Sequence, residues 1–214
     1  MSVDLPPDCQ NALNAPVMQQ IFHVESSNNP FAIGVVRNRL VRQPQNLDDA
    51  VATANYLQQS GYNFSIGKGQ VNKTHFARLG WDDLTKGFDV CNNVIAAHQI
   101  FKDCYASALS AGYQENSTGY TATHAALSCY YSGKHAWGTS VPDVARYVND
   151  VLSVKTASNT EAPKNEKGKV IPLANANKSA VVKVKKVSVS RGETSSRLTK
   201  TKQSVSMMLN FFLN

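Results

Sequence analysis

The residue types that build a core or bind specific ligands are confined to the first 153 of the 214 residues. All four cysteines, both tryptophans, all five histidines and all eight tyrosines lie there. This region carries ten Lys/Arg and twelve Asp/Glu, a net charge of −2, whereas residues 154–214 carry twelve and three, a net of +9, which together give +7. The composition predicts a folded domain over residues 1–153 and a basic low-complexity tail, disordered in isolation, over residues 154–214.

Helical signals dominate the predicted domain. Val17, Ile21 and Val24 recur at three- and four-residue spacings, which indicates an amphipathic helix. Six segments carry helical signals, at about residues 14–26, 47–61, 73–79, 89–109, 121–133 and 141–152. Pro6-Pro7-Asp8 reads as a lead-in, and the strand candidates are Val35-Val36 and, in the tail, the partly alternating run 181–189. We expect an α+β domain that is predominantly α-helical.

The four cysteines have no spacing typical of a metal site. Cys9, Cys91, Cys104 and Cys129 form no C-x-x-C pair, and the histidines show no ligand spacing, so no metal is expected. An even number of cysteines in a small domain suits two disulfides in an oxidising compartment. Four buried free thiols are the alternative, and the residues alone do not choose among the three possible pairings.

Glu25 is the strongest candidate for chemistry. It closes an apolar helical stretch in the run His23-Val24-Glu25-Ser26-Ser27, where the chain can bury it beside a groove. Burial raises the pKa of a carboxyl, which lets it stay protonated near neutral pH and act as a general acid. A glycine-lined turn at Gly67-Lys68-Gly69 follows, with Gln70 and Asn72 as donors and acceptors for hydroxyls and amides.

These blocks resemble, in their order, the lytic transglycosylases of the lysozyme-like superfamily. The blocks are Glu25-Ser26, Gly67-Lys68-Gly69-Gln70, Cys129-Tyr130-Tyr131-Ser132-Gly133 and Tyr147-Val148. Further blocks look like the subgroup found with bacterial type IV secretion and conjugation machines, namely Ala32-Ile33-Gly34-Val35, Arg42-Gln43-Pro44, 49–54 and 61–65. The resemblance covers about residues 9–152 and implies a goose-type, soluble lytic transglycosylase-like fold.

The resemblance also implies roles for individual residues. Glu25 would be the catalytic acid and base, and Ser26 would help to place it. The expected substrate-binding residues are Ser26, Ser65, Gln70, Asn72, Tyr130, Tyr131 and Tyr147. The chain departs from many relatives at Lys68-Gly69, where an apolar pair is common, and at Tyr131, where Tyr130 is often followed by asparagine.

A single acid suffices for the reaction that the resemblance implies. Protonated Glu25 would cleave the bond between N-acetylmuramic acid and N-acetylglucosamine, and its carboxylate would then take the proton of the muramic acid C6 hydroxyl, which closes a 1,6-anhydro ring. No cofactor is needed. The alternatives are a muramidase that uses water, and a wall-binding assembly factor without turnover.

Partners and location follow from the same resemblance. The expected partner is peptidoglycan in the periplasm, with secretion-system components as candidates for the tail. The alternatives for the tail are an anionic polymer or lipid head groups, and a solvated linker without a partner. The sequence shows no signal peptide, no stretch apolar enough to span a membrane and no aromatic interleaving typical of nucleic-acid binding. Export is therefore an inference. Among the disulfide pairings we favour Cys9–Cys91 with Cys104–Cys129.

Overall fold

The structure is a computed structural model that describes residues 5–156 and 184–186. Within these residues the chain forms nine α-helices and one antiparallel sheet. The helices are α1 (Pro7–Asn14), α2 (Pro16–Ser26), α3 (Leu47–Gln59), α4 (Phe76–Leu79), α5 (Thr85–Phe88), α6 (Val90–Ser110), α7 (Ala122–Ser132), α8 (Trp137–Ser140) and α9 (Pro142–Ser153). The strands are β1 (Ile33–Val35), β2 (Asn38–Leu40), β3 (Phe64–Ile66), β4 (Val71–Asn72) and β5 (Val184–Lys186), and Lys73–His75 forms a 3₁₀ turn. The predicted α+β, mostly helical class is confirmed.

One helix precedes the first helix that the sequence predicted. The prediction of a lead-in at residues 6–8 is wrong, because α1 begins at Pro7. Proline is favoured in the first turn of a helix, where its missing N–H would have no partner in any case. A second proline, Pro16, opens α2 in the same way after the extended residue Ala15. The predicted helix over 14–26 corresponds to α2, and α1 is an additional helix before it.

The long helix α6 is the centre of the helical part. It packs against α1 and α7, and α9 packs against α2 and α7. The buried face of α6 includes Val94, Ala97 and Phe101. Asp89 caps its first turn by accepting a hydrogen bond from the amide of Asn92.

Two disulfides tie α6 to its neighbours. Cys9 on α1 is bonded to Cys91 in the first turn of α6, and Cys104 further along α6 is bonded to Cys129 on α7. This is the pairing favoured from the sequence. It holds α6 near its start and again beyond its middle.

The sheet has the strand order β4-β3-β1-β2-β5. Ile33 is paired with Ile66, and Val35 with Phe64, so that apolar side chains of β1 and β3 meet in the core. The strand β5 lies in the run that the sequence analysis singled out, and it pairs with β2 at the sheet edge. The other residues of the tail, and with them the prediction of disorder, lie outside the described residues.

Candidate active site

Glu25 occupies the last turn of α2, at the junction between the helices and the sheet. The helix stops immediately after it, because Ser27 and Asn28 adopt left-handed backbone conformations with φ of 52° and 65°. The Glu25 side chain is only 3% exposed. Burial raises the pKa of the Glu25 carboxyl from 4.5 to about 8.

Two hollows meet at Glu25. The larger, with a volume of about 440 Å³, is an open groove between the end of α2 and the strands β1 and β2. The smaller, of about 30 Å³, lies between Glu25 and residues of β4, α6 and α7. Among the described residues that line these hollows, Glu25 is the only acid. The carboxyl is therefore accessible to a ligand in the groove yet surrounded by protein.

Tyr147 of α9 interacts with the carboxyl of Glu25. Its hydroxyl is buried and makes no hydrogen bond of good geometry to a described residue. It nevertheless interacts with Glu25 and opposes part of the rise in the pKa of that carboxyl. We therefore regard the Tyr147 hydroxyl as a donor poised beside the acid, not as a formed bond. Burial raises the pKa of Tyr147 well above its usual value, so the phenol keeps its proton.

The two adjacent tyrosines of α7 have different roles in the structure. The hydroxyl of Tyr130 donates a hydrogen bond of 2.6 Å to the carbonyl oxygen of Gly69. The ring of Tyr131 stacks on that of Tyr147, with centroids 4.4 Å apart. Both tyrosines also line the small hollow next to Glu25. Tyr130 thus fixes the glycine-lined turn, and Tyr131 fixes the orientation of Tyr147.

The glycine-lined turn between β3 and β4 is built against a buried asparagine. Asn93 of α6 is 1% exposed, donates to the carbonyl oxygens of Ile66 and Gly87, and accepts from the amide of Gly69. A Cβ on Gly67 would lie 2.2 Å from Asn93 Nδ2. Asn93 is not recognisable from the sequence, because no local pattern marks a polar side chain on the buried face of a helix as a loop anchor.

Gln70 and Ser26 hold the same turn in place. Gln70 has a left-handed backbone, and its side-chain Nε2 donates to the carbonyl oxygens of Ala32 and Gly67. Ser26 Oγ donates to the carbonyl oxygens of Phe22 and Lys68, which joins the end of α2 to the turn. The donor groups of both side chains are thus engaged within the protein, and both residues line the groove.

Ser65 and Asn72 form a polar pair at the small hollow beside Glu25. Asn72 Nδ2 donates to Asn63 Oδ1 and Ser65 Oγ, while Asn72 Oδ1 accepts from the amide of Thr74. Ser65 is fully buried. Both residues line the small hollow, so the structure brings all seven predicted binding residues to the surroundings of Glu25, mostly as supports for one another.

The groove wall contains a second residue whose role the sequence did not reveal. Gln43 follows β2, and its amide accepts from the N–H and donates to the carbonyl of Ile33, as a neighbouring strand would. Arg42 beside it donates to both carboxylate oxygens of Asp49 in the first turn of α3. These contacts hold the loop after β2 against β1 at the rim of the groove.

Two chemical features are absent from the part of the chain that the structure describes. No group of three or more His, Cys, Asp or Glu side chains is placed to hold a metal ion. No described helix is long and apolar enough to cross a bilayer.

The comparisons with known proteins place the chain by sequence. It is 38% identical over 152 residues to the type IV secretion system protein virB1 of Brucella abortus, Brucella melitensis and Brucella suis. The match includes 70% of this chain and 61% of each relative, so the chain spans about three-fifths of the length of these curated proteins. No family model and no solved structure matches the chain. Over these 152 residues, the chain is therefore similar to the type IV secretion system protein virB1.

Proposed function

We propose that this protein is a peptidoglycan lytic transglycosylase that makes local openings in the cell wall for a type IV secretion or conjugation system. The observation that carries the proposal is a single buried acid, with a pKa of about 8, at the meeting point of an open groove and a small polar hollow. The secretion context comes from the relatives, which are type IV secretion system proteins.

The reaction begins with Glu25 as an acid. A pKa of about 8 keeps the carboxyl protonated at neutral pH. Glu25 donates its proton to the oxygen between N-acetylmuramic acid and N-acetylglucosamine, and the bond from that oxygen to the muramic acid C1 breaks. The N-acetyl group of the substrate stabilises the positive charge that develops at C1.

Glu25 then acts as a base in the second half of the reaction. The muramic acid C6 hydroxyl attacks C1, and its proton passes to the Glu25 carboxylate, which restores the acid and closes the 1,6-anhydro ring. The Tyr147 hydroxyl stands ready to donate to the carboxylate between the two steps. No water is consumed, so no second carboxylate is needed to activate one, in contrast to the paired acids of most glycosidases.

Several parts of the proposal rest on the resemblance and the relatives. We assign the catalytic domain to residues 1–153, with the protein in the periplasm after export, and we assign the basic tail of residues 154–214 to contacts with secretion-system components. The substrate-binding assignment of Ser26, Ser65, Gln70, Asn72, Tyr130, Tyr131 and Tyr147 is likewise a proposal, supported by their positions around Glu25.

Mass spectrometry of the muropeptides released from purified peptidoglycan tests the activity. We expect products with a 1,6-anhydro end from the wild-type protein, none from Glu25→Gln, and normal yields from Asp150→Asn, an exposed control. Products with a free reducing end would instead identify a hydrolytic muramidase. Wall binding without products would identify a non-catalytic assembly factor.

A further inference from the structure

A second hollow of about 360 Å³ borders the same end of α2 but is separate from the groove. We call it the basic hollow, and its lining includes Gln19, Phe22, His23, Asn28, Lys68 and Lys155. None of the described residues that line it is acidic. The lining therefore contains positively charged and neutral polar side chains but no acidic side chain that could neutralise the lysines.

Lys68 is the central cation of the basic hollow. Its ammonium nitrogen lies 5.6 Å from the centre of the Phe22 ring. Among the described residues it has no ion-pair partner. Partial burial lowers the pKa of Lys68, because desolvation disfavours the charged form. An anion bound beside this nitrogen would replace the lost hydration, so the site is chemically suited to a carboxylate.

The glycine-lined turn connects the basic hollow to the catalytic groove. The carbonyl oxygen of Lys68 accepts the hydrogen bond of Ser26 Oγ, and Ser26 is the residue next to Glu25. Gly69, which follows Lys68, is held by Tyr130 and Asn93. The backbone of the turn thus supports the groove while the Lys68 side chain lines the other hollow.

We infer that the basic hollow binds a carboxylate of the stem peptide carried by the muramic acid. This inference rests on the proposed function, since the glycan must occupy the groove. The sugar rings themselves bear no free charge once the stem is attached, so the anionic groups of the substrate are those of the stem. The stem hangs from the sugar whose C1 reacts, and an extended peptide reaches about 3.3 Å per residue.

Kinetics on two substrates test the inference. One substrate is peptidoglycan with intact stems, and the other is the same peptidoglycan after its stem carboxylates have been converted to neutral amides. We expect Lys68→Met to raise KM for the stem-bearing substrate by roughly fivefold to tenfold, as for the loss of one partly exposed charge-assisted hydrogen bond. The same variant should act as the wild-type protein does on the amidated peptidoglycan, and Lys68→Arg should largely restore the wild-type KM on the unmodified one.

The control is Lys102→Met, which makes the same charge change at an exposed position of α6. It should leave both substrates unaffected. An equal loss on both substrates in Lys68→Met would overturn the inference, because it would mean that Lys68 only supports the turn. Unchanged kinetics on both substrates would overturn it as well.

A binding measurement keeps the test independent of turnover. N-acetylmuramyl tripeptide is titrated into the ¹⁵N-labelled Glu25→Gln protein, with Glu25→Gln/Lys68→Met as the comparison. We expect saturable amide shifts around His23 and Lys68 that the lysine substitution abolishes. Absence of such shifts in Glu25→Gln would overturn the inference, whereas absence of anhydro products from the wild-type protein would count against the proposed function instead.

Discussion

The amide of Gly69 donates a hydrogen bond of 2.7 Å to Oδ1 of Asn93, a buried residue of α6 that lies 24 positions further along the chain. The same asparagine also binds the carbonyl oxygens of Ile66 and Gly87. One side chain of the central helix therefore fixes the turn that forms the floor of the site.

Replacing that side chain should loosen both the fold and the site. Asn93→Ala leaves one buried amide and two carbonyls without their partner, and we expect it to lower the free energy of unfolding by roughly 2–4 kcal/mol. Denaturant unfolding measures this, and wall-cleaving activity should fall with it. The neighbouring Asn92→Ala, at an exposed position, should change the free energy of unfolding by less than about 0.5 kcal/mol. Equal effects of the two substitutions would argue against the anchoring role.

The rate of wall cleavage should depend on the protonated form of Glu25. Because the pKa of this carboxyl is about 8, we expect kcat/KM for anhydro-product release to fall tenfold per pH unit above about pH 8. Rate measurements from pH 5 to 9.5 on soluble glycan fragments check this. A decline that begins near pH 5 would instead indicate an ordinary, solvated carboxylate.

The hydroxyl of Tyr147 should influence the pH dependence of the cleavage rate. Tyr147→Phe removes the hydroxyl that lowers the pKa of Glu25, so the alkaline limb of the profile should move to higher pH. The maximal rate should drop by about tenfold, because the carboxylate formed after proton donation loses its donor. Tyr56→Phe, at an exposed tyrosine of α3, is the control and should leave both the limb and the rate unchanged.

Glu25 should also lower the stability of the protein as the pH rises. Its folded-state pKa of about 8 lies above the ordinary 4.5, so the unfolded state loses the proton at a lower pH than the folded state. Between these two pKa values, ionisation stabilises the unfolded state and not the folded state. The free energy of unfolding should therefore decline between about pH 4.5 and pH 8. Glu25→Gln should be more stable than the wild-type protein by roughly 2–3 kcal/mol at pH 7, with the gap closing near pH 4. Thermal and denaturant unfolding at several pH values measure the gap, and a gap that does not vary with pH would contradict the burial of the acid.

The close approach of the turn to α6 predicts a compensating pair of substitutions. A Cβ on Gly69 would lie 2.4 Å from the Cβ of Ala97, so Gly69→Ala should destabilise the protein by roughly 1–3 kcal/mol. Ala97→Gly removes the clash but costs about 1 kcal/mol in the helix. The double variant should lose less free energy of unfolding than the sum of the two single losses, as measured in a double-mutant cycle. Additive changes in the free energy of unfolding would show that there is no steric clash between the two positions.

The sequence was informative where local chemistry decides the structure. The helical periodicity before Glu25 and the glycines of the turn at Gly67 both mark features that the structure shows. The favoured cysteine pairing is also the one in the structure. The relationship to secretion proteins that the motifs indicated is confirmed by the virB1 relatives.

The sequence was less informative where distant residues determine a side chain's role. Gln70 carries an amide of the kind that binds sugars, yet its donor hydrogens are committed to Ala32 and Gly67, which no local pattern could show. Asn93 was missed for the same reason, since its partners come from three other segments. The short strands β1 to β4 contain only two or three residues each, too few for a two-residue periodicity to stand out.

The strand β5 forms one edge of the sheet, although it lies far beyond the other strands in the sequence. Val184–Lys186 pairs with β2 from a point well beyond Thr156, so the sheet beside the groove is completed by a segment from the compositionally distinct tail. Cutting the chain at residue 153 would remove that segment and uncover the backbone N–H and C=O groups of β2. Uncovered strand edges recruit strands from other molecules. A protein shortened at the composition boundary would therefore gain a tendency to self-associate at the rim of its own groove.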